Sequence, residues 1–319
     1  MTSRDLIERI CWLGLIAILA AVVLGRLSFL VPFLDWLAHF PAVYFLAAAV
    51  FTLALAAIGR WSSACFGLVV ALACIVLFLG PFIPRRGRHA PVPEPNLTVA
   101  VANVSIANPY RDEIVSTLPD IDLLALLETG TAWTDTLDSL KSRWPWQWRE
   151  LRDTPFGLSV LSRHPVTSAQ WFKLTPGDAP ALHVKLRVDG IDVDVLVIHT
   201  MSPQSPGMLL TRDAQFRTLA EIINELSTNV VVIGDLNATA WSSSMQHMMD
   251  MTGLRQSRTV EGIRGALLGT WPSQAPSVLR IAIDHCLIRG NIEPVSNRTI
   301  PLKWSDHHGL VVDLAVSSP

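Results

Sequence analysis

Near its C-terminus the chain reads Ser305-Asp306-His307-His308-Gly309-Leu310-Val311-Val312-Asp313-Leu314, a polar step followed by an apolar run that is typical of a buried strand. Two similar steps lie upstream, Ile283-Asp284-His285 and Gly234-Asp235-Leu236-Asn237, each at the edge of its own strand-like run. Asp, Asn and His recur at all three strand ends. The pattern predicts one polar site to which several strands contribute.

The front of the chain is far more apolar than the rest. A mean hydropathy of +0.38 and 50% hydrophobic residues over 319 positions are high for a soluble domain. The excess lies in three runs, each long enough to cross a hydrocarbon core of roughly 30 Å as a helix. We therefore predict a transmembrane region over residues 1–84, with helices at about 6–24, 41–59 and 62–83.

The first apolar run has a competing interpretation as a cleaved signal peptide, because Arg4 and Arg9 precede it. Two further apolar runs follow and no small-x-small cleavage site stands out, so an anchor is favoured. The stretch from Arg26 to Phe40 is also apolar, but Pro32 and Asp35 interrupt it. This stretch fits a segment in the membrane interface or a re-entrant turn.

Three spans predict a multi-pass protein of the plasma (inner) membrane whose partner is the lipid bilayer; no obligate protein partner is inferred. The positive-inside rule does not decide on which side of the membrane the remaining chain lies, because a three-span topology places three arginines on one side and four on the other. The two sets are Arg4, Arg9 and Arg60, and Arg26, Arg85, Arg86 and Arg88. Only Cys286 lies beyond the apolar runs, so no disulfide framework indicates the compartment.

A basic, proline-rich linker is predicted over residues 85–95, and residues 96–319 have room for one sizeable domain. Of 25 Lys and Arg, 7 precede residue 91, which leaves 18; of 27 Asp and Glu, 3 precede it, which leaves 24. This domain is acidic by about six charges, which disfavours sequence-independent binding of DNA or RNA.

Strand-like and helix-like segments alternate through this domain, which predicts mixed sheets covered by helices. Asp189-Gly190 is typical of a tight hairpin turn between two alternating runs. Helical character is predicted around 111–118 and over 207–227. The strands are predicted over 97–104, 123–127, 157–162, 182–188, 191–199, 230–234, 281–288 and 310–315.

The candidate site residues all lie at ends of these strands. Carboxylates such as Glu128 and Asp306 form the hard-oxygen environment that Mg²⁺ or Mn²⁺ prefers, whereas no Cys/His spacing suggests zinc. A histidine oriented by a carboxylate can act as a base for water, which makes His307 a candidate. Each residue alone also fits an ordinary structural role, such as a turn or a solvated carboxylate; their common position at strand ends favours function.

From about Asn96 to Leu314 the chain resembles the endonuclease/exonuclease/phosphatase superfamily, Mg²⁺-dependent phosphodiesterases that include AP endonucleases, neutral sphingomyelinases and inositol polyphosphate 5-phosphatases. Seven motifs occur in the family's order. They are Val101-Ala102-Asn103-Val104, Leu126-Leu127-Glu128, Gly157-Leu158-Ser159-Val160-Leu161-Ser162-Arg163, Ile198-His199, Gly234-Asp235-Leu236-Asn237-Ala238-Thr239-Ala240-Trp241, Ile283-Asp284-His285 and Ser305-Asp306-His307.

The resemblance implies an α/β fold, a four-layer sandwich of two mixed β-sheets face to face with helices outside. It also implies a Mg²⁺ or Mn²⁺ cofactor, with Glu128 as the principal metal ligand, Asn103 beside it and Asp306 completing the metal environment.

The same resemblance implies catalytic roles for five further residues. Asp235 would orient or deprotonate the attacking water, while Asn237 and His199 would contact the phosphate. His307 would be the catalytic histidine, either a protonation partner to the phosphate or a base for water, and Asp284 would hold its ring.

Two departures from the AP endonuclease pattern disfavour an abasic-site nuclease: Ser105 stands where those enzymes place an Asp, and Thr154-Pro155-Phe156 stands where they carry a catalytic Tyr. Gly309 replaces a Pro that often follows the catalytic His by two residues, which should alter the strand entry more than the chemistry. No departure touches the acid, base or metal positions.

The function predicted is a membrane-anchored, divalent-metal-dependent phosphodiesterase or phosphatase, with a lipid or lipid-linked phosphoester favoured over nucleic acid. The alternatives are a membrane-tethered nuclease of the same fold, which predicts a basic groove, and a non-catalytic interaction domain. Trp144-Pro145-Trp146-Gln147-Trp148 fits either contact with lipid headgroups or packing at the edge of the sandwich.

Overall fold

The computed structural model describes residues 2–83 and 93–318, so the arginine cluster and most of the predicted linker lie outside the described residues. The N-terminal region contains three apolar helices. They are α1 (Ser3–Arg26), α2 (Pro41–Ala57) and α3 (Trp61–Leu79), the last continued by a 3-10 turn at Gly80–Phe82. Residues 27–40 join α1 to α2 and are called the connector; they include a 3-10 helix at Pro32–Leu37.

Small residues let these helices approach closely, as is common between helices in membranes. A Cβ atom on Gly14 of α1 would lie 2.2 Å from the ring of Phe51 in α2, and one on Gly67 of α3 would lie 2.5 Å from the hydroxyl of Thr52. α1 begins at a capping box, in which the Thr2 hydroxyl accepts from the Asp5 backbone N–H at 3.2 Å.

Two helices in the described part of the chain are long and apolar enough to cross a membrane, Ser3–Arg26 and Trp61–Phe82. Length and composition alone are weak support for a span, because buried core helices share them. α2 has only 17 residues and ends at Ala57, which gives it a length of about 26 Å. Two of the three predicted spans therefore meet this length criterion, and the middle one falls short.

The rest of the chain forms two six-stranded mixed sheets, ordered β11-β12-β1-β2-β4-β3 and β5-β6-β7-β8-β10-β9. The strands are β1 (Leu97–Asn103), β2 (Leu123–Leu127), β3 (Trp146–Glu150), β4 (Leu158–Ser162), β5 (Val166–Leu174), β6 (Ala179–Val188), β7 (Ile191–His199), β8 (Val230–Asp235), β9 (Arg255–Gln256), β10 (Asp284–Arg289), β11 (Ile292–Pro301) and β12 (His308–Val316).

The sheets pack face to face through alternating apolar residues. Val99 and Val101 of β1 point into this core together with Val231 and Ile233 of β8. The opposite faces are covered by helices, which are α4 (Arg111–Thr117) and α5 (Thr134–Ser139) on the first sheet, and α6 (Pro206–Glu225) and α7 (Ser243–Thr252) on the second. The predicted α/β sandwich of two mixed sheets with helices outside is confirmed.

The central strands bring their polar ends to one edge of the sandwich. β1 and β2 are parallel, as are β7 and β8, so each pair ends on the same side. His199 is in register with Asp235, and Asp235 with Asp284 at the start of the antiparallel β10. The sheet order therefore places residues that are far apart in sequence beside one another.

Several strands escaped the sequence prediction because their hydrophobic pattern is weak. β3 and β5 lie at sheet edges and are largely polar, while β11 contains a bulge near Pro294. Trp144, just before β3, is buried and donates from Nε1 to the Ile121 carbonyl at 2.8 Å. For Trp144 the interpretation as a contact with lipid headgroups is therefore wrong, because its ring packs in the core on the outer face of the first sheet.

Candidate active site

A cleft of about 570 Å³ opens where the polar strand ends meet. Its walls include seven of the eight sequence-predicted site residues. These are Asn103, Glu128, His199, Asp235, Asn237, Asp306 and His307. The eighth, Asp284, lies behind His307. The volume is within the usual range for sites that bind small molecules.

His307 and Asp284 form a buried pair. Nδ1 of His307 lies 2.8 Å from Oδ2 of Asp284, and both side chains are almost completely shielded from solvent. Burial by itself would lower the pKa of His307, but the negative charge and hydrogen bond of Asp284 raise it to about 10. The other ring nitrogen, Nε2, faces the cleft 3.8 Å from Oδ2 of Asp235.

Asp235 occupies the centre of the site at the end of β8. Its Oδ1 accepts the backbone N–H of Asn237 at 2.8 Å, and its Oδ2 lies 3.3 Å from the Asn103 amide nitrogen and 3.7 Å from Nε2 of His199. Burial, reinforced by the charge on Asp284, raises the pKa of Asp235 to about 7. This carboxyl is thus fixed in orientation while it faces two histidines.

His199 and Asn237 complete the wall beside Asp235. Burial lowers the pKa of His199 to about 4, so this imidazole is neutral at physiological pH. The ring of Phe156 lies 5.7 Å away, between centroids. The Asn237 side-chain amide donates to the Thr200 carbonyl at 3.0 Å, which holds Asn237 against the end of β7.

Glu128 lines the cleft directly after β2. Its Oε1 accepts from the Asn103 amide at 3.0 Å and its Oε2 from the Ile106 backbone N–H at 3.1 Å. Burial raises the pKa of Glu128 above its usual value. Asn103 therefore contacts both Glu128 and Asp235, which places it between the two carboxyl groups.

Asp306 is held by two residues that sequence reasoning did not select for the site. Its Oδ1 accepts from the Ser105 hydroxyl at 2.8 Å, and its Oδ2 accepts from Nε1 of Trp271 at 3.1 Å. In the sequence, Ser105 is only a departure from the AP endonuclease pattern. Trp271 lies in an irregular segment far from the motifs, and no periodic signal indicates its position.

The charges of the site fit a divalent cation. Three carboxyl groups line the cleft, from Glu128, Asp235 and Asp306, with Asp284 behind His307, and none of the described residues lining the cleft is Lys or Arg. Oδ1 of Asp284 is buried without a hydrogen-bond partner, and Asp235, Asp284 and His307 offer atoms within 4.8 Å of one another. Excess carboxylate and few basic side chains suit hard cations such as Mg²⁺.

The other histidines of the motifs serve the fold. His285 is buried, with Nδ1 at 3.1 Å from the Gln256 side-chain oxygen and Nε2 at 2.8 Å from the Ala238 carbonyl. Nδ1 of His308 lies 3.3 Å from a guanidinium nitrogen of Arg280. Neither side chain lines the cleft.

The connector is the largest contribution to the cleft that the sequence did not indicate. Trp36, His39 and Phe40 line the same cleft as His307. The one sequence signal was Asp35, a charged residue inside an apolar stretch, which is unusual unless the charge is paired. Asp35 is indeed only 2% exposed and lies 2.7 Å from a guanidinium nitrogen of Arg212.

Comparison with known proteins gives one family and many solved structures of the same fold. The model of the Endonuclease/Exonuclease/phosphatase family matches residues 100–307. No curated protein sequence matches the chain. Among solved structures, D. rerio TDP2 complexed with single strand DNA product is 15% identical, covers 69% of this chain and 99% of its own, and has a TM-score of 0.59.

Two further solved structures have the same fold. The human Nocturnin catalytic domain with bound sulfate anion is 17% identical, with 71% of this chain and 97% of its own covered and a TM-score of 0.56. Sphingomyelinase C from Streptomyces griseocarneus is 17% identical, with 69% and 99% covered and a TM-score of 0.51. The aligned share corresponds to the α/β domain in size.

Proposed function

Because the chain belongs to the Endonuclease/Exonuclease/phosphatase family, it is a hydrolase of phosphoester bonds, and we propose that it is a membrane-anchored phosphodiesterase that depends on a divalent metal ion. The observation that carries the proposal is the single cleft in which the His307–Asp284 pair faces Asp235, with Glu128 and Asp306 in the same walls.

Glu128, Asn103 and Asp306 would hold the cation, Mg²⁺ or Mn²⁺. They offer oxygen atoms from two carboxylates and an amide, and all three line the cleft, with Asn103 hydrogen-bonded to Glu128. When bound, a cation supplies positive charge that offsets the negative charge building on the phosphoryl and leaving oxygens. Ser105 and Trp271 fix the orientation of Asp306 for this role.

The chain's own residues would activate the attacking water and bind the phosphate. Asp235, oriented by the Asn237 N–H, accepts a proton from the water whose oxygen forms the new bond to phosphorus. His307, held by Asp284, donates a hydrogen bond from Nε2 to a phosphate oxygen. Neutral His199 contacts the same phosphate. The bond from phosphorus to the leaving alcohol oxygen breaks, and that oxygen is protonated by solvent.

Multi-pass anchoring in the plasma (inner) membrane is part of the proposal and is supported by the helix ends. Arg60, between α2 and α3, pairs with Asp5 and Glu8 near the start of α1, with N–O distances of 2.6 and 2.9 Å. At the other ends, the carbonyl of Leu77 in α3 accepts from Nε1 of Trp241 in the α/β domain at 3.0 Å. Three spanning helices would thus put the α/β domain on the side opposite the N-terminus.

A lipid or lipid-linked phosphoester is favoured over nucleic acid as the substrate. Nucleic-acid binding depends on Lys and Arg contacts to phosphates, and the described residues lining the cleft include neither. The basic groove that a nuclease predicts is therefore not supported, and an intact set of ionisable groups argues against a non-catalytic domain.

The proposal is tested with the full chain in detergent, bis(p-nitrophenyl) phosphate and Mg²⁺. His307→Ala should lower kcat/KM by about 10²- to 10⁴-fold, because it removes a hydrogen-bond donor and its charge from the transition state. Chelation should abolish the wild-type activity, and added Mg²⁺ or Mn²⁺ should restore it.

His308→Ala is the matched control, because His308 neighbours His307 but lies outside the cleft. This variant should retain activity within about twofold. Full activity in His307→Ala, or in the presence of chelator, would contradict the mechanism.

A further inference from the structure

We propose that the connector forms one wall of the active site, in which Trp36 and Phe40 bind an apolar substituent of the phosphoester. The inference rests on the proposed phosphodiesterase function and adds a substrate class, a phosphoester that carries an aliphatic chain. It assigns a substrate-binding role to a segment that lies outside the residues matched by the family model, 100–307.

The cleft is lined by two chemically different kinds of side chain. His307, Asp235 and Glu128 are polar, and the phosphoester would react beside them. Around these groups the cleft is predominantly apolar. Besides Trp36 and Phe40, the apolar lining residues include Pro155, Phe156, Met201, Pro203, Met208, Ile281 and Ile283. A ligand that fills this cleft must therefore combine an anionic group with an apolar one.

A buried ion pair fixes the connector to the α/β domain. Asp35 Oδ2 lies 2.7 Å from Nη2 of Arg212, whose side chain is completely buried in α6. Asp35 also accepts from the Ser242 hydroxyl at 3.1 Å and from the Ser243 backbone N–H at 3.2 Å. Arg212 donates from Nη1 to the carbonyl of Asn237 at 3.0 Å. The connector is thus linked through Arg212 to Asn237, just after the end of β8 where Asp235 lies.

The rings of Trp36 and His39 are each held by a hydrogen bond to the α/β domain. Nε1 of Trp36 donates to the Pro203 carbonyl at 2.9 Å, which satisfies the only polar atom of the indole. Nδ1 of His39 lies 2.8 Å from the Thr239 hydroxyl. Only carbon atoms of the Trp36 ring remain for the cleft, and Phe40 is 39% exposed beside it. Such surfaces bind an alkyl chain by removing it from water.

Apolar surface continues from this wall to the helix ends. Phe29, Leu30, Val31 and Phe33 of the connector are between 42% and 69% exposed, although they are apolar. The Phe33 ring lies 6.4 Å from the Trp36 ring, between centroids. Because the connector joins α1 to α2, a bilayer crossed by these helices would meet this surface. An aliphatic chain could then pass between bilayer and cleft without exposure to water.

The test compares two substrates with the same leaving group, methyl p-nitrophenyl phosphate and hexyl p-nitrophenyl phosphate, hydrolysed by the full chain with Mg²⁺ in one detergent. Wild type should prefer the hexyl ester by at least about tenfold in kcat/KM. Phe40→Ala and Trp36→Phe should each reduce that preference about threefold or more, mainly through KM of the hexyl ester, while the methyl ester changes by less than about twofold.

Trp61→Ala is the matched control, because Trp61 is an exposed aromatic at the start of α3, beyond the α2 end that faces away from the cleft. This variant should leave the preference unchanged. Phe40→Leu, which keeps an apolar side chain, should restore most of it. Far-UV circular dichroism and thermal unfolding of each variant identify any loss of folding. Phe40 is the safer of the two cleft positions to substitute, because its ring is 39% exposed, whereas Trp36 donates a hydrogen bond to Pro203.

Equal loss of activity on both esters, or no hexyl preference in wild type, would overturn the apolar subsite while leaving the phosphodiesterase function intact. Absence of metal-dependent hydrolysis of either ester would instead overturn the proposed function. Wild type reconstituted in phosphatidylglycerol and phosphatidylcholine nanodiscs is then assayed for release of water-soluble phosphate products. Release identifies bilayer lipid as the source of the substrate; hexyl preference without release identifies a dissolved amphiphile.

Discussion

Two site residues adopt the left-handed backbone conformation, which is uncommon for residues other than glycine and is tolerated better by Asn than by Glu. Glu128 has φ 64° and Asn237 has φ 47°, both in the left-handed region. This conformation costs on the order of 1 kcal/mol for a residue with a side chain, and such residues concentrate at functional sites. Each residue lies directly after a central strand, where the change of direction turns its side chain toward the cleft.

Asp194 of β7 is a buried carboxylate with a structural role. Its Oδ1 lies 2.8 Å from Nε2 of His183 in β6, and its Oδ2 accepts from Ser227 before β8. Burial by itself would raise the pKa of Asp194, but the hydrogen bonds from Ser227 and His183 lower it below the usual value. The folded state therefore favours the ionised form of Asp194.

Asp194→Asn should make folding less sensitive to acid. Because the folded pKa is depressed, the contribution of Asp194 is fully present above about pH 4 and is lost as pH falls through the folded value. We expect the variant to be less stable by about 1 to 2 kcal/mol at pH 7, with the difference disappearing in strong acid. Unfolding in denaturant at a series of pH values measures it.

Asp192→Asn on the same strand is the matched control for Asp194→Asn. Asp192 pairs with Arg187, and both side chains are well exposed, at 42% and 60%. Its substitution should give a smaller difference that salt weakens. A stability difference for Asp194→Asn that is independent of pH would contradict the assignment.

Among the secondary-structure elements, the connector is the one that links the helical region to the active site, because Asp35 pairs with Arg212 and Arg212 donates to the Asn237 carbonyl. Its 3-10 helix presents Asp35 to α6, and His39, two residues beyond that helix, contacts Thr239 in the segment before α7. Pro32 at the start of that helix prevents continuation of α1 through the segment, because proline lacks the N–H that an α-helix interior requires. The break in the apolar run therefore creates an element that contacts the site.

Asp35→Ala should destabilise the protein by about 3 kcal/mol, because among the described residues it leaves the buried guanidinium of Arg212 with only Asp213 as an ionic partner. The thermal unfolding temperature of the full chain in detergent measures the change. Asp35→Asn, which keeps the size and the hydrogen-bonding oxygen, should recover part of the loss. An unchanged unfolding temperature in Asp35→Ala would show that the pair does not hold the connector in place.

The local hydrophobic pattern of the sequence predicts the central strands of both sheets but not the edge strands. β2 and β8 are buried on both faces, so their sequences are continuous apolar runs and are recognised directly. β3 and β5 are edge strands with one face in water, and their mixed composition resembles that of loops. Their pairing with β4 and β6 decides their structure.

The whole molecule combines an apolar helical region with an acidic α/β domain, and the proposed anchoring makes a direct prediction. The full chain should remain in the membrane pellet after washes with high salt and with alkaline carbonate, and detergent should release it. Spanning helices are held by burial of apolar surface in lipid, which neither wash reverses. Release by salt alone would contradict membrane spanning and leave the exposed apolar faces of α1 and α3 to be covered by a protein.

The sequence by itself determined the central strands, a fold of mixed sheets covered by helices and the residues at the strand ends. These features depend on local hydrophobic pattern and on polar residues at fixed places along it, as at Gly234-Asp235-Leu236-Asn237, whereas the arrangement of two sheets face to face came from the family resemblance. The short α2 and the site roles of Trp271 and Trp36 were decided by the tertiary structure.

The physical reason is the range of the interactions. Asp35 meets Arg212 across 177 residues and Trp36 meets Pro203 across 167, so no window along the chain contains both partners. Their contact depends on how the N-terminal helices pack against the sandwich. A charge in an apolar run signals that a partner is needed, but only the folded chain shows that the partner lies beside the active site.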